Sequence, residues 1–125
     1  MGTWDDVRRI GENFDIQIDL MVNHISRSSP YFQDFVKWGR KSRYADLFIT
    51  LDKIWPDGNP RQEDVKKIFL RKPEHPFSDV RIEETGEIER IWTSFGPRVE
   101  WYEQIDLDVN SAAPRKLLTE FFALF

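Results

Sequence analysis

The sequence predicts an α/β fold in which a small α+β domain is inserted into an α/β barrel. Three observations predict it. A helix start at Thr3 is followed by a strand pattern over 15–24. A long irregular stretch with one clear hairpin comes next, and an amphipathic helix pattern follows Ser111. The stretch between strand and last helix is far longer than the ~2–6 residues that usually connect such elements. An inserted domain explains that length, and the chain divides into 1–24, 25–110 and 111–125.

Each element has a local reason. Thr3 can cap a helix, Asp5 and Asp6 suit its positive end, and Trp4, Val7, Ile10 and Gly11 share one face. Gly11 and Asn13 supply the stop. In 15–24, Ile16, Ile18 and Leu20 alternate with Gln17 and Asp19, and the run then turns apolar through Met21 and Val22. That pattern predicts a buried, parallel strand carrying Asn23 and His24 at its carboxyl end, where α/β folds build their sites. Ser29-Pro30 opens a second helix that Gly39 ends. Tyr44 to Ile49 is apolar without a clear period, and Trp55 to Pro60 is rich in turn residues. Asn59 and Pro60 open a short helix to about Lys67. Val80 to Trp92 reads as a hairpin turning at Thr85-Gly86, and Gln104 to Val109 as extended chain. Ser111 caps the last helix, whose stripe is Leu117, Leu118, Phe121, Phe122 and Phe125.

Composition excludes several function classes. The 125 residues carry a net charge of −4, which disfavours nucleic acid as a partner. Two basic clusters, Lys37 with Arg40, Lys41 and Arg43, and Lys66 with Lys67, Arg71 and Lys72, sit beside acids and read as solvated helix faces. Cysteine is absent, so no disulfide, thiolate metal site or thiol nucleophile is available, which suits a cytoplasmic protein. No apolar run reaches the ~20 residues of a membrane helix. The first residues lack a signal pattern, and Met1 leads straight into helix-start chemistry, which suggests an internal piece of a longer chain. Aromatic residues make up 14%, with 10 Phe and 5 Trp, and serve chiefly as core, although such rings also line sugar sites. His24 and His75 lack metal-ligand spacing, and no phosphate-binding loop, dinucleotide fingerprint or serine elbow is present. No metal or other cofactor is expected. On these grounds alone His24 is more readily a structural histidine than a site residue.

The motifs narrow this. Asp19-Leu-Met-Val-Asn23-His24 resembles the first conserved stretch of the α-amylase superfamily, glycoside hydrolase family thirteen. Its flanks are similar to sucrose phosphorylases within that superfamily: Gly2 to Val7, His24 to Phe35, Asp46-Leu-Phe, Ile54-Trp55-Pro56, Arg71-Lys72-Pro73, Ile91 to Phe95, and Glu103 to Val109. The resemblance runs through essentially the whole chain. It implies a fragment of a (β/α)8 TIM barrel, holding helix two, strand three, an inserted domain B and helix three.

The resemblance also implies an activity. A retaining phosphorylase forms a glucosyl-enzyme on a carboxylate, and phosphate then takes the glucosyl group to give glucose 1-phosphate. The α-glucoside and phosphate are thus the implied partners. The family's nucleophile Asp and acid/base Glu fall on strands beyond these residues, so the chain alone is expected to be inactive. By resemblance His24 hydrogen-bonds glucose hydroxyls, Phe95 packs on the sugar ring, and Gln104 reaches a hydroxyl at the site mouth. Asp19 and Asn23 are assigned structural hydrogen bonding at the strand end. The stretch from Gly96 to Glu103 is longer than the family pattern, and it adds Arg98, Trp101 and Tyr102 as acceptor-site or phosphate-site candidates. Two alternatives stay open: an amylase-type hydrolase or transglycosylase, and a standalone carbohydrate-binding module. The expected strand lacks neighbours within this sequence, so self-association of the isolated chain is expected.

Overall fold

The computed structural model describes residues 2–69, 76–94 and 103–123. Helix α1 (Trp4–Gly11) is followed by strand β1 (His24–Ser26) and helix α2 (Pro30–Trp38). Two single 3-10 turns, Gly39–Lys41 and Ala45–Leu47, lead to the short helices α3 (Leu51–Ile54) and α4 (Gln62–Val65). Strands β2 (Phe77–Arg81), β3 (Ile88–Trp92) and β4 (Gln104–Asp106) precede helix α5 (Ala112–Phe122).

The local readings at α1 and α2 are met. Thr3 forms a full capping box: its side chain accepts from the Asp6 N–H, and Asp6 accepts from the Thr3 N–H at 2.7 Å. Pro30 stands in the first turn of α2, where a missing N–H costs nothing. Gly39 ends that helix at φ +57°, and a Cβ there would lie 3.0 Å from Ile82 Cγ2. The backbone N–H groups of Glu83 and Glu84 donate to the Val36 and Lys37 carbonyls at 2.9 and 3.1 Å. The hairpin turn thereby satisfies acceptors that the helix end leaves open.

Among the described residues all strand pairing is antiparallel. β2 and β3 form the expected hairpin, which reaches back to Phe77, paired with Trp92. Its turn is wider than a two-residue loop: Gly86 sits at φ +74° and donates to the Ile82 carbonyl at 2.8 Å. β1 pairs with β4, and residues 48–50 link the two ladders through bridges from Phe48 to Leu107 and from Thr50 to Ile91. One face of the hairpin turns Val80 and Ile91 into the main core. Phe32, Phe35, Leu47, Phe48, Ile82, Ile105, Leu107 and Leu117 complete that core, so α5 packs on the same interior as α2. The opposite face of the hairpin sends Phe77 against Trp55 and Val65 in a second cluster.

The sequence expectations are corrected at three points. Residues 15–22 lie in no helix or strand. Ile16, Ile18, Leu20, Met21 and Val22 are exposed rather than buried. Pairing begins only at His24, and its partner is antiparallel β4 rather than a parallel strand. The physical reason is that a strand needs an adjacent edge for its N–H and C=O groups, and no described residue offers one to 15–22. Second, Ser111 precedes α5 but does not cap it with its side chain; the hydroxyl donates instead to the Asp46 carbonyl at 2.9 Å. Third, the helix expected after Asn59 is confined to Gln62–Val65.

Candidate functional site

The site is built on the short ladder of β1 and β4. Its register sets His24 opposite Asp106, Ile25 opposite Ile105, and Ser26 opposite Gln104. Side chains alternate across a strand, so Ile25 and Ile105 face the core while His24, Ser26, Gln104 and Asp106 share the other face. The apolar pair is what fixes this. A slip of one residue would turn Ile105 outward and carry Asp106 into the core.

His24 is half-buried, and its Nε2 is shielded from solvent. Its Nδ1 lies 3.1 Å from Asn23 Oδ1. An amide oxygen only accepts, so Nδ1 carries the proton in that bond and a neutral ring keeps its lone pair on Nε2. The imidazole is thus oriented by its chain neighbour. The Asn23 backbone carbonyl in turn accepts from the Leu107 N–H at 2.8 Å, extending the ladder one step. Gln104 is half-buried, and its amide makes no hydrogen bond among the described residues. It presents both a donor and an acceptor to a ligand. Asp19 is exposed, stands in the stretch without secondary structure, and is not brought to this group. Phe95, His75, Arg98, Trp101 and Tyr102 lie outside the described residues.

The sequence reading assigned no role to Asp106 or Ser94. Asp106 is 6% exposed and accepts from the Ser94 N–H at 2.7 Å and from the Ser94 hydroxyl at 3.0 Å. The sequence shows only the alternation of Ile105, Leu107 and Val109 with Asp106 and Asp108, which does not distinguish the buried carboxylate from its neighbour two residues on. A carboxylate in such a run either faces water or is paired. On the other side of the ladder, the Arg27 N–H donates to the Glu103 carbonyl at 2.8 Å. Ser94 and Glu103, which flank the stretch 95–102, are therefore both tied to the ladder that carries His24.

Clefts elsewhere are separate from this group. One of about 390 Å³ lies between α2 and α5, lined by Tyr31, Arg43, Tyr44 and Lys116 among others. Its Arg43 stacks on Tyr44 and donates to the Tyr44 hydroxyl. It shares no residue with the His24 face. A histidine, an amide and a buried carboxylate converge on the ladder, which makes this face the candidate site. Among the described residues no group of acidic, histidine or cysteine side chains could hold a metal ion.

Comparison with known proteins decides the family. Sucrose 6(F)-phosphate phosphorylase of Thermoanaerobacterium thermosaccharolyticum is 59% identical over 124 residues, which is 99% of this chain and 25% of that protein. The chain is a sucrose-phosphorylase-like sequence. A sucrose phosphorylase of Streptococcus mutans is 44% identical over 109 residues, 87% of this chain and 21% of that protein. A crystal structure of sucrose 6F-phosphate phosphorylase from Thermoanaerobacter thermosaccharolyticum matches with a TM-score of 0.90 at 59% identity, covering 98% of this chain and 24% of that one. The sucrose-phosphorylase-like chain thus spans about a quarter of the length of the curated relatives it matches. No protein-family model matches it. Among the described residues no helix is long and apolar enough to cross a membrane.

Proposed function

We propose that this sequence is part of the catalytic region of a retaining α-glucosyl phosphorylase, which forms glucose 1-phosphate from an α-glucoside and phosphate. The observation that carries the proposal is the 59% identity, across 99% of the chain, to an enzyme named as a sucrose 6(F)-phosphate phosphorylase. In this reading the rest of the full-length protein supplies the strand edges that 15–22 lack here, so that residues 1–24 become barrel helix two and strand three, 25–110 are domain B, and 111–125 are barrel helix three. The nucleophile and the acid/base are contributed from outside these residues, and the enzyme is cytoplasmic. Neither a metal nor an organic cofactor takes part.

His24 and Gln104 hydrogen-bond the sugar, and Phe95 packs against its ring. An imidazole that accepts at Nε2 suits a glucose hydroxyl, which can donate as well as accept. The free amide of Gln104, two residues along the same face, can serve a second hydroxyl. Asn23 orients His24, and Asp19 acts structurally at the strand end. The direct test is an assay of the full-length protein carrying this sequence, with sucrose and with sucrose 6′-phosphate, each with and without phosphate. Phosphate-dependent formation of a glucosyl phosphate supports the proposal. Release of glucose at the same rate without phosphate identifies a hydrolase, and absence of turnover with either donor argues for a binding module. The 125-residue chain alone is expected to release no fructose.

A further inference from the structure

We infer that Asp106 is a positioning residue, which holds the β2–β3 hairpin and the His24 ladder in register at the edge of the sugar site. The inference rests on the sugar-site reading above, and it adds a residue to which nothing so far assigns a role.

The geometry is that of a joint between two sheets. Thr93 belongs to the hairpin side: its N–H donates to the Pro76 carbonyl at 2.7 Å and its hydroxyl lies 2.7 Å from the Ser78 hydroxyl. The next residue, Ser94, belongs to the other side, because both of its polar groups donate to one oxygen of Asp106. Asp106 is in turn the register partner of His24. A single carboxylate therefore connects the end of one sheet to the strand opposite the candidate sugar ligand. Burying that carboxylate is costly unless it is hydrogen-bonded, and the two charge-assisted bonds from Ser94 supply this. The linking bridges run through Phe48 and Thr50, on the far side of β4 from β1. Asp106 is the contact that ties Ser94 directly to the His24 pair.

The test uses the full-length enzyme with Asp106→Ala, Asp106→Asn and Ser94→Ala, read by steady-state kinetics, thermal midpoint and amide hydrogen exchange. Asp106→Ala is expected to raise KM for the α-glucoside by about 10- to 100-fold, the scale set by small misplacements near a reacting centre. Asp106→Asn keeps an acceptor oxygen and should recover most of that loss. Ser94→Ala keeps the N–H bond and should show a smaller rise. A purely structural role would lower the thermal midpoint and the active fraction while leaving KM in place. The Ser94 amide should exchange slowly in wild type and in Asp106→Asn, and fast in Asp106→Ala. Unchanged KM in a folded Asp106→Ala overturns the inference; if that variant does not fold, unchanged KM in Ser94→Ala does so. If the wild-type enzyme lacks phosphorolysis, the sugar-site reading falls. Exchange at Ser94 then decides the joint alone, and fast exchange in wild type overturns it.

Discussion

Residues 2–22 and residues 30–50 carry similar strings of apolar and aromatic side chains, but they meet different fates. In the first stretch Trp4, Ile10, Phe14, Leu20 and Met21 are all exposed, with Phe14 at 69%. In the second, Phe32, Phe35 and Phe48 are fully buried, with ring centroids 5.1 to 6.2 Å apart. Local pattern is not the difference, since α1 even has the better N-terminal cap. The difference is that 30–50 meets the hairpin, β4 and α5, all distant in sequence, while 15–22 meets no strand among the described residues. An apolar period records readiness to be buried; burial itself requires a partner surface.

The largest effect should come from removing a ring that has its partners. Phe35→Ala is expected to cost about 3–5 kcal/mol, while Phe14→Ala should stay within about 0.5 kcal/mol. Urea unfolding of the two variants of the isolated 125-residue chain measures this, and equal losses would break the comparison. Next, the exposed stretch of the isolated 125-residue chain should find a partner in a second copy. Sedimentation should show a dimer or larger species at micromolar concentration. Replacing Ile18, Leu20 and Met21 together by lysine should weaken association by about 100-fold or more, given ~1.5 kcal/mol or more for each buried apolar side chain. A wild-type monomer would show that this surface is not adhesive.

A smaller effect is expected at the junction of α2 and the hairpin. Gly39→Ala imposes a side chain at φ +57° and crowds Ile82, and should cost about 1–3 kcal/mol in a thermal melt. Gly58, at φ +71° with open space around it, should lose less under the same change.

The smallest effect is electrostatic. Arg40 donates to Glu89 at 2.7 Å and to Asp52 at 2.8 Å, joining the turn after α2 to α3 and β3. Hydrogen bonds from Arg40 and then Thr50 hold the Asp52 carboxyl down to about 2, from an ordinary 3.8. A lowered folded value means that the stabilisation is fully present above about pH 4 and disappears as pH falls through 2. Because the Asp52 side chain is 52% exposed, solvent screening reduces the contribution to less than about 1 kcal/mol. Asp52→Asn should lower stability by that amount at pH 7, by a small part of it at pH 2, and by nothing well below that. In the region without a core, Asp5→Asn breaks a pair to Arg8 that is open to water on both sides, and should change nothing measurable. A pH-independent loss at Asp52 would sharpen the case for packing over charge.

How much was legible follows the range of the interactions. Thr3, Pro30, Gly39 and Gly86 mark their elements through contacts within a few residues, and each stands where its chemistry demands. The alternation of Val80 and Ile82 with charged residues placed the hairpin for the same reason. Ser111 misled because its side chain is turned to the Asp46 carbonyl, 65 residues away, and accepts from no helix N–H. Within the candidate site, the strand pattern singled out His24 and family resemblance gave it a role, while Gln104 was named only through resemblance; their 80-residue separation hides the fact that one ladder face holds both. Asp106 was not distinguishable from Asp108 in the alternating run, and nothing local linked it to Ser94.

From the sequence alone came the helix termini, the hairpin, the aromatic supply of the core and the family, because these depend on backbone preferences, side-chain period and word-by-word likeness. Tertiary structure alone decided which apolar run is interior and which is bare. It also decided that His24 pairs antiparallel with Asp106 and that Ser94 is tied to the same strand pair. Those outcomes depend on hydrogen bonds and contacts between residues far apart in the chain, and such meetings leave no periodic trace along it.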